Sequence, residues 1–83
     1  MKGKIISVNH RLGALVAEIA DNTCVVLESM GNVQAEIGDE IEGDWSTLGR
    51  TIITNITQGT QNNMVLQIAD VTRNEAIART TVV

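Results

Sequence analysis

The chain has 83 residues, which makes it one domain near the size at which a single core is only just sufficient and leaves no room for a second. Lys and Arg number 6 against 10 Asp and Glu, and the formal net charge of −4 repels polyphosphate at long range. A lone cysteine, Cys24, supports neither an internal disulfide nor a cysteine-based metal site. One Trp with no Phe and no Tyr makes the expected core aliphatic, and the absence of proline leaves the turns to Gly, Asn, Asp and Ser. Charged or polar residues interrupt every apolar stretch before it reaches the length of a signal peptide or membrane span, so a cytoplasmic protein without membrane attachment is expected.

Residues 2 to 9 read as a first strand, in which Gly3 permits a bulge or bend. His10 to Gly13 supply a turn. Residues 14 to 20 form a second extended run, closed by Asp21 and Asn22, whose side chains bond their own backbone and tolerate positive φ in a tight hairpin. A third strand covers 24 to 28, and 32 to 37 is a polar connection. The segment 38 to 59 reads as the best-formed long hairpin. Its first arm alternates, with Ile41, Gly43 and Trp45 on one side and Glu40, Glu42 and Asp44 on the other. A turn over 46 to 49 leads to a second arm, 51 to 57, which is almost wholly β-branched and therefore suited to a pleated surface. Residues 60 to 63 read as polar linker, and 64 to 71 as a sixth apolar run that returns to the sheet.

The last segment changes character. Thr72 and Glu75 have capping-box spacing, so Thr72 is the expected N-cap of a helix running through Arg79. About two turns do not stand alone in water, so this helix must dock. Residues 80 to 83 read as a loose tail or a strand added to a neighbour. Together these elements predict an all-β fold: a small five- to six-stranded antiparallel barrel over residues 1–71, with a short C-terminal helix and tail, 72–83, packed on it. The expected core is Ile5, Val16, Ile19, Val26, Ile41, Ile52, Ile56, Leu66 and Ile68.

The order strand, tight loop, strand, hairpin, strand, connection, hairpin resembles the five-stranded barrel of the OB-fold, and within it the cold-shock domain. Lys2, Gly3, Lys4 and Ile5 through Asn9 are similar to that family's opening Lys-Gly-x-Val-Lys-Trp-Phe-Asn. Gly13 falls where its first RNA-binding motif has Gly, residues 38 to 45 resemble its Gly-x-x-Val-x-Phe arm, and Asn55 sits where its last strand has Asn. The likeness covers residues 2 to 57. It implies an OB-like barrel with a single-stranded nucleic-acid site built on an aromatic platform. Here the platform positions read Ser7, Ala14, Val16, Val25, Leu27 and Glu28. Stacking on an aromatic ring is worth roughly 1–3 kcal/mol per base, so nucleic-acid binding through Lys2, Lys4, Ser7, Arg11, Val16 and Leu27 is expected to be weak.

Other residues have a functional and a plain reading. The acidic row Asp39, Glu40, Glu42 and Asp44 offers oxygens to a hard cation, or is the solvated face of a half-buried strand. His10 with Arg11 is a loop acid, base or ligand, or an ordinary exposed pair. Trp45 is a stacking residue at an interface, or the packed residue that closes an aromatic-poor barrel. Cys24 is a reactive thiol or an inert small hydrophobe. Asn55, Ile56 and Thr57 match the glycosylation pattern, which carries meaning only in a secreted chain. With one His and no recognisable set of acid, base and nucleophile, no enzyme is expected. The chain reads as a non-catalytic OB-fold binding module without cofactor or metal, working through a protein partner or self-association, with weak cold-shock-like nucleic-acid binding as the alternative.

Overall fold

The computed structural model describes residues 1–31 and 34–80. Six strands and one helix follow in chain order: β1 (Lys2–Asn9), β2 (Ala14–Ala20), β3 (Thr23–Ser29), β4 (Glu40–Glu42), β5 (Gly49–Asn55), β6 (Thr60–Val71) and α1 (Arg73–Thr80). The strands close into an antiparallel barrel in the order β1-β2-β3-β6-β5-β4, as expected of a small all-β chain that must hide its edges. Two three-stranded meanders, β1-β2-β3 and β4-β5-β6, meet where β3 pairs with β6 and β1 with β4. The architecture is consistent with an OB-like barrel.

Side-chain parity separates two apolar layers. Ile5, Leu15, Ala17, Val25, Leu27, Ile41, Ile53, Met64 and Leu66 point inward and form the barrel core. Val16, Cys24 and Val26 point outward from β2 and β3, yet they are buried too, because Ala76 of α1 packs over them with Ile6, Ile68 and Val71 around the edge. The helix is set as its sequence predicts, with Thr72 Oγ1 accepting the Glu75 amide at 3.3 Å. Its first turn is also tied to the β2–β3 hairpin. Arg73 Nη2 meets Glu18 Oε2 at 2.6 Å, and the Arg73 amide donates to Asn22 Oδ1 at 3.2 Å. Asn22 itself takes φ 52°, the positive value expected of this turn residue.

Several expectations need correction. The long hairpin is β5–β6, paired from Gly49↔Leu66 to Asn55↔Thr60, and residues 60 to 63 are strand, not linker. The pairing expected across 38 to 59 shrinks to Ile41↔Asn55 and Glu42↔Thr54. The first arm leaves the sheet at Gly43 because Trp45 folds inward there. A Cβ on Gly43 would stand 2.5 Å from Ile53 Cδ1 and 3.2 Å from the Trp45 ring, so only glycine lets the two side chains meet. The inner face of β5 is the opposite of that expected: Ile53 is 1% exposed, whereas Ile52 is 60% exposed and Ile56 lies exposed in the turn after the strand. A one-residue shift exchanges the faces of a strand, and here Ile53 against Gly43 and Asn55 against Asp39 set the parity. Ile19 and Ile68, expected in the core, are only partly buried.

The bulge falls between Ile5 and Ser7, while Gly3 pairs regularly with Ile41. By adding one residue, it turns Ile6 out toward the helix layer and returns Val8 to the barrel interior. Thr80, expected in the tail, is the buried last residue of α1. The remainder of the tail, 81 to 83, and residues 32 and 33 of the polar connection lie outside the described residues.

Candidate functional site

The two ends of the barrel are built differently. At one end Ala35, from the connection between β3 and β4, is buried in the inner core. Around it the loops are fixed by their own polar groups. Asn9 Oδ1 accepts the amides of Arg11 and Leu12 at 3.0 and 3.1 Å, which shapes the β1–β2 turn, and Asn9 Nδ2 donates to the Thr80 carbonyl of α1 at 2.7 Å. Gly13, at φ 70°, turns its carbonyl to the Ser29 amide at 2.7 Å. Ser29 Oγ accepts from the Gly31 amide at 3.2 Å, and the Met30 amide donates to the Asn63 carbonyl at 3.4 Å.

This framework leaves three adjoining hollows. One of about 520 Å³ lies between the β1–β2 loop and residues 29–31, with His10 and Arg11 on its wall. A second, about 380 Å³, shares Ser29, Met30 and Gly31 and adds Gln34, Asn62 and Asn63. A third, about 220 Å³, shares the two asparagines and reaches Gln61 and Ile52. The result is a continuous strip, lined by amide side chains in its second and third hollows, with Leu12, Met30 and Ile52 standing exposed along it. Three large apolar side chains in water on one strip mark a surface suited to contact.

Beside the strip, Asp39 Oδ2 accepts from Asn55 Nδ2 at 2.9 Å, Gln58 Nε2 at 2.7 Å and the Glu36 amide at 3.0 Å. The bond from Asn55, then that from the Glu36 amide, holds the Asp39 carboxyl below its ordinary pKa despite its burial. Asp39 is therefore not part of a solvated acidic row. It is a buried tie between the connection and the β5–β6 turn.

Of the residues expected to contact nucleic acid, Lys2 and Lys4 are exposed on β1, Ser7 is half-buried beyond the bulge, and Arg11 is exposed in the β1–β2 loop. Val16 and Leu27 are fully buried, which removes them from any surface site. Leu27 faces the barrel interior and Val16 lies under α1. Of the other platform positions, Val25 is interior, Ala14 is buried and Glu28 is exposed. The helix thus occupies the outer face of β2 and β3, the face through which OB barrels bind oligonucleotides.

Glu40 and Glu42 are exposed as the outer row of β4 should be, Asp44 is exposed beyond the end of that strand, and no group of three or more potential metal ligands gathers among the described residues. His10 and Arg11 remain an exposed loop pair at the head of the strip. Trp45 is 6% exposed and joins the inner core, so the packed reading describes it. Burial raises the Cys24 thiol pKa and Glu18 adds to the rise, while Arg73, brought close by α1, opposes it. A thiol so placed is poorly nucleophilic. Asn55 is buried and bonded to Asp39 and to the Gln58 amide, so it is no glycan acceptor in the folded chain.

Met30, Gln34, Ile52, Asn62 and Asn63 were not indicated as a site by sequence reasoning. Ile52 meets Asn63 across the β5–β6 hairpin, and the β3–β6 pairing Ser29↔Met64, between segments far apart in the chain, brings Met30 to them, which no local pattern announces. Comparison of the chain with protein-family models, with curated proteins and with solved structures gives no match. No helix among the described residues is long and apolar enough to cross a membrane.

Proposed function

We propose that this chain is a small non-catalytic binding module of the cytoplasm that recognises a protein partner through the strip running from His10 to Ile52. The observation that carries this reading is the exposure of Leu12, Met30 and Ile52 along three hollows that share their walls. Apolar anchors with amide donors and acceptors beside Met30 and Ile52 suit a protein surface, with the anchors supplying burial and the amides fixing register. The ladder closes around the barrel, so recognition falls to side chains and loops and not to addition of a strand. A photo-crosslinker at position 30 or 52 is expected to trap a discrete protein adduct that survives raised salt and disappears when the other of the two positions carries Glu. Adducts no different from those formed at position 75, exposed in the first turn of α1 over the outer face of β2 and β3, would overturn the reading.

The second reading is a cold-shock-like module with residual single-strand binding. It draws support from Lys2, Lys4, Ser7 and Arg11, which remain at least partly accessible along β1 and its loop. Four such groups without a ring to stack on belong to the weak, salt-sensitive class of contact.

A further inference from the structure

The helix covers β3 only as far as Val26. Beyond it the outer face of β3, β6 and β5 carries exposed side chains, set by the ladder into two rows across the three strands. Val65 pairs with Glu28 on one side and with Arg50 on the other. Residues aligned across a ladder share a face, and Met64 and Leu66 point inward, so Glu28, Val65 and Arg50 point out. In the next row Asn63 pairs with Ile52 on the β5 side, and its carbonyl accepts the Met30 amide at 3.4 Å on the β3 side. Each row therefore has a β6 residue at its centre. A carboxylate and a guanidinium flank Val65, and two exposed apolar side chains flank Asn63. Neither Glu28 nor Arg50 has an ion-pair partner among the described residues.

This layout is complementary to itself. A two-fold axis that lies in the face and runs along β6 exchanges the two flanks of each row. A second copy laid face to face about that axis brings the partner's Arg50 to Glu28 and the partner's Glu28 to Arg50. It also brings the partner's Ile52 to Met30 and the partner's Met30 to Ile52. Asn63 meets its own equivalent, and a carboxamide both donates and accepts, so that central contact is satisfied as well.

On the reading of Met30 and Ile52 as anchors of a protein contact, we propose that their partner is a second copy of this chain, joined through the outer face of β3, β6 and β5 about an axis along β6. Two chains of net charge −4 repel at long range, so the dimer forms only at raised concentration and the two Glu28–Arg50 contacts set its register.

Sedimentation of the purified chain at rising concentration tests the proposal, and a reversible monomer–dimer equilibrium is expected below about 1 mM. Arg50→Glu leaves two carboxylates on the face and Glu28→Arg leaves two guanidiniums. Both positions are exposed and unpaired, so neither change disturbs the fold. The symmetry repeats each substitution and turns both contacts repulsive at once, so each variant alone is expected to dimerise about tenfold more weakly than the parent. Mixed in equal amounts, the two variants are expected to form a heterodimer with the parent's affinity, because every carboxylate then faces a guanidinium. A pairing of Glu28 with Arg50 inside one chain cannot be restored by mixing. Met30→Glu is expected to abolish the parent dimer. A parent that stays monomeric at about 1 mM, single variants that dimerise as the parent does, or a mixture that stays monomeric would overturn the proposal. A monomeric parent whose crosslinkers at 30 and 52 still trap another protein would remove the second copy and leave the strip as a binding surface.

Discussion

The two halves of the barrel bury their strands in different ways. In β2 four consecutive residues, Ala14 to Ala17, are buried, and in β3 another four, Cys24 to Leu27. In β5 and in the first half of β6, burial alternates with exposure. Antiparallel strands with one wet face must alternate, so consecutive burial means that a second layer covers the outside. In the first half that layer is α1. The second half has no such cover, and its outer face ends in the exposed Ile52 at the end of the proposed binding strip. The same architecture thus seals one face and leaves another available.

The sharpest way to break this comparison is on β5. Ile53→Ala is expected to cost about 2–5 kcal/mol through lost burial and the cavity left against Trp45 and Gly43. Ile52→Ala and Ile56→Ala are expected to stay within about 0.5 kcal/mol of the parent. Chemical denaturation checks all three, and a costly Ile52→Ala would reverse the parity of the strand.

On the sealed half, Ala76→Asp places a charge in the layer under α1. The helix is expected to detach while the barrel survives, and Cys24, now inert, to become reactive toward a thiol reagent under native conditions. Unchanged protection of Cys24 would mean that α1 is not what covers it. A smaller effect of the same sign is expected from Thr72→Ala, which removes the N-cap and lowers helix protection in hydrogen exchange by about 1 kcal/mol.

The pH dependence sharpens the comparison on the second half, where the Asp39 tie has no counterpart in the first. The folded pKa of Asp39 lies below its unfolded value, so the unfolded chain binds more protons between the two. The stability contributed by Asp39 is full above the unfolded pKa, about 3.9, and is lost as pH falls through the folded value. Asp39→Asn should flatten that acid slope in thermal melts, and an unchanged slope would assign the acid loss to other carboxylates.

Much of the architecture was legible because its signals are local. The Asp21–Asn22 turn, the Thr72 cap and the alternation of Ile41 and Trp45 against acidic neighbours depend on adjacent residues alone. The parity of β5 was hidden because Ile52 and Ile53 are equally apolar neighbours, and the polar Asn55 is the one that turns inward. Asp39 read as surface because two of its three donors, Asn55 and Gln58, come from a segment that only the fold brings near. The platform positions Val16 and Leu27 could be read as apolar, but not as covered. Leu27 needs the barrel to close over it, and Val16 needs a helix some sixty residues away in the chain. The strip depends on the β3–β6 pairing and left no trace in any one segment.

The central claim is that α1 makes the outer face of β2 and β3 part of the interior, so that the barrel does not bind single strands there. Titration of a mixed-sequence single-stranded oligonucleotide at about 0.15 M salt, followed by backbone amide shifts, tests it most directly. The account predicts no submicromolar complex, and only small, salt-suppressed shifts near Lys2, Lys4 and Arg11 with none at Val16 or Val26. A salt-sensitive submicromolar complex with shifts across Lys4, Ser7, Arg11, Val16 and Leu27 would contradict it.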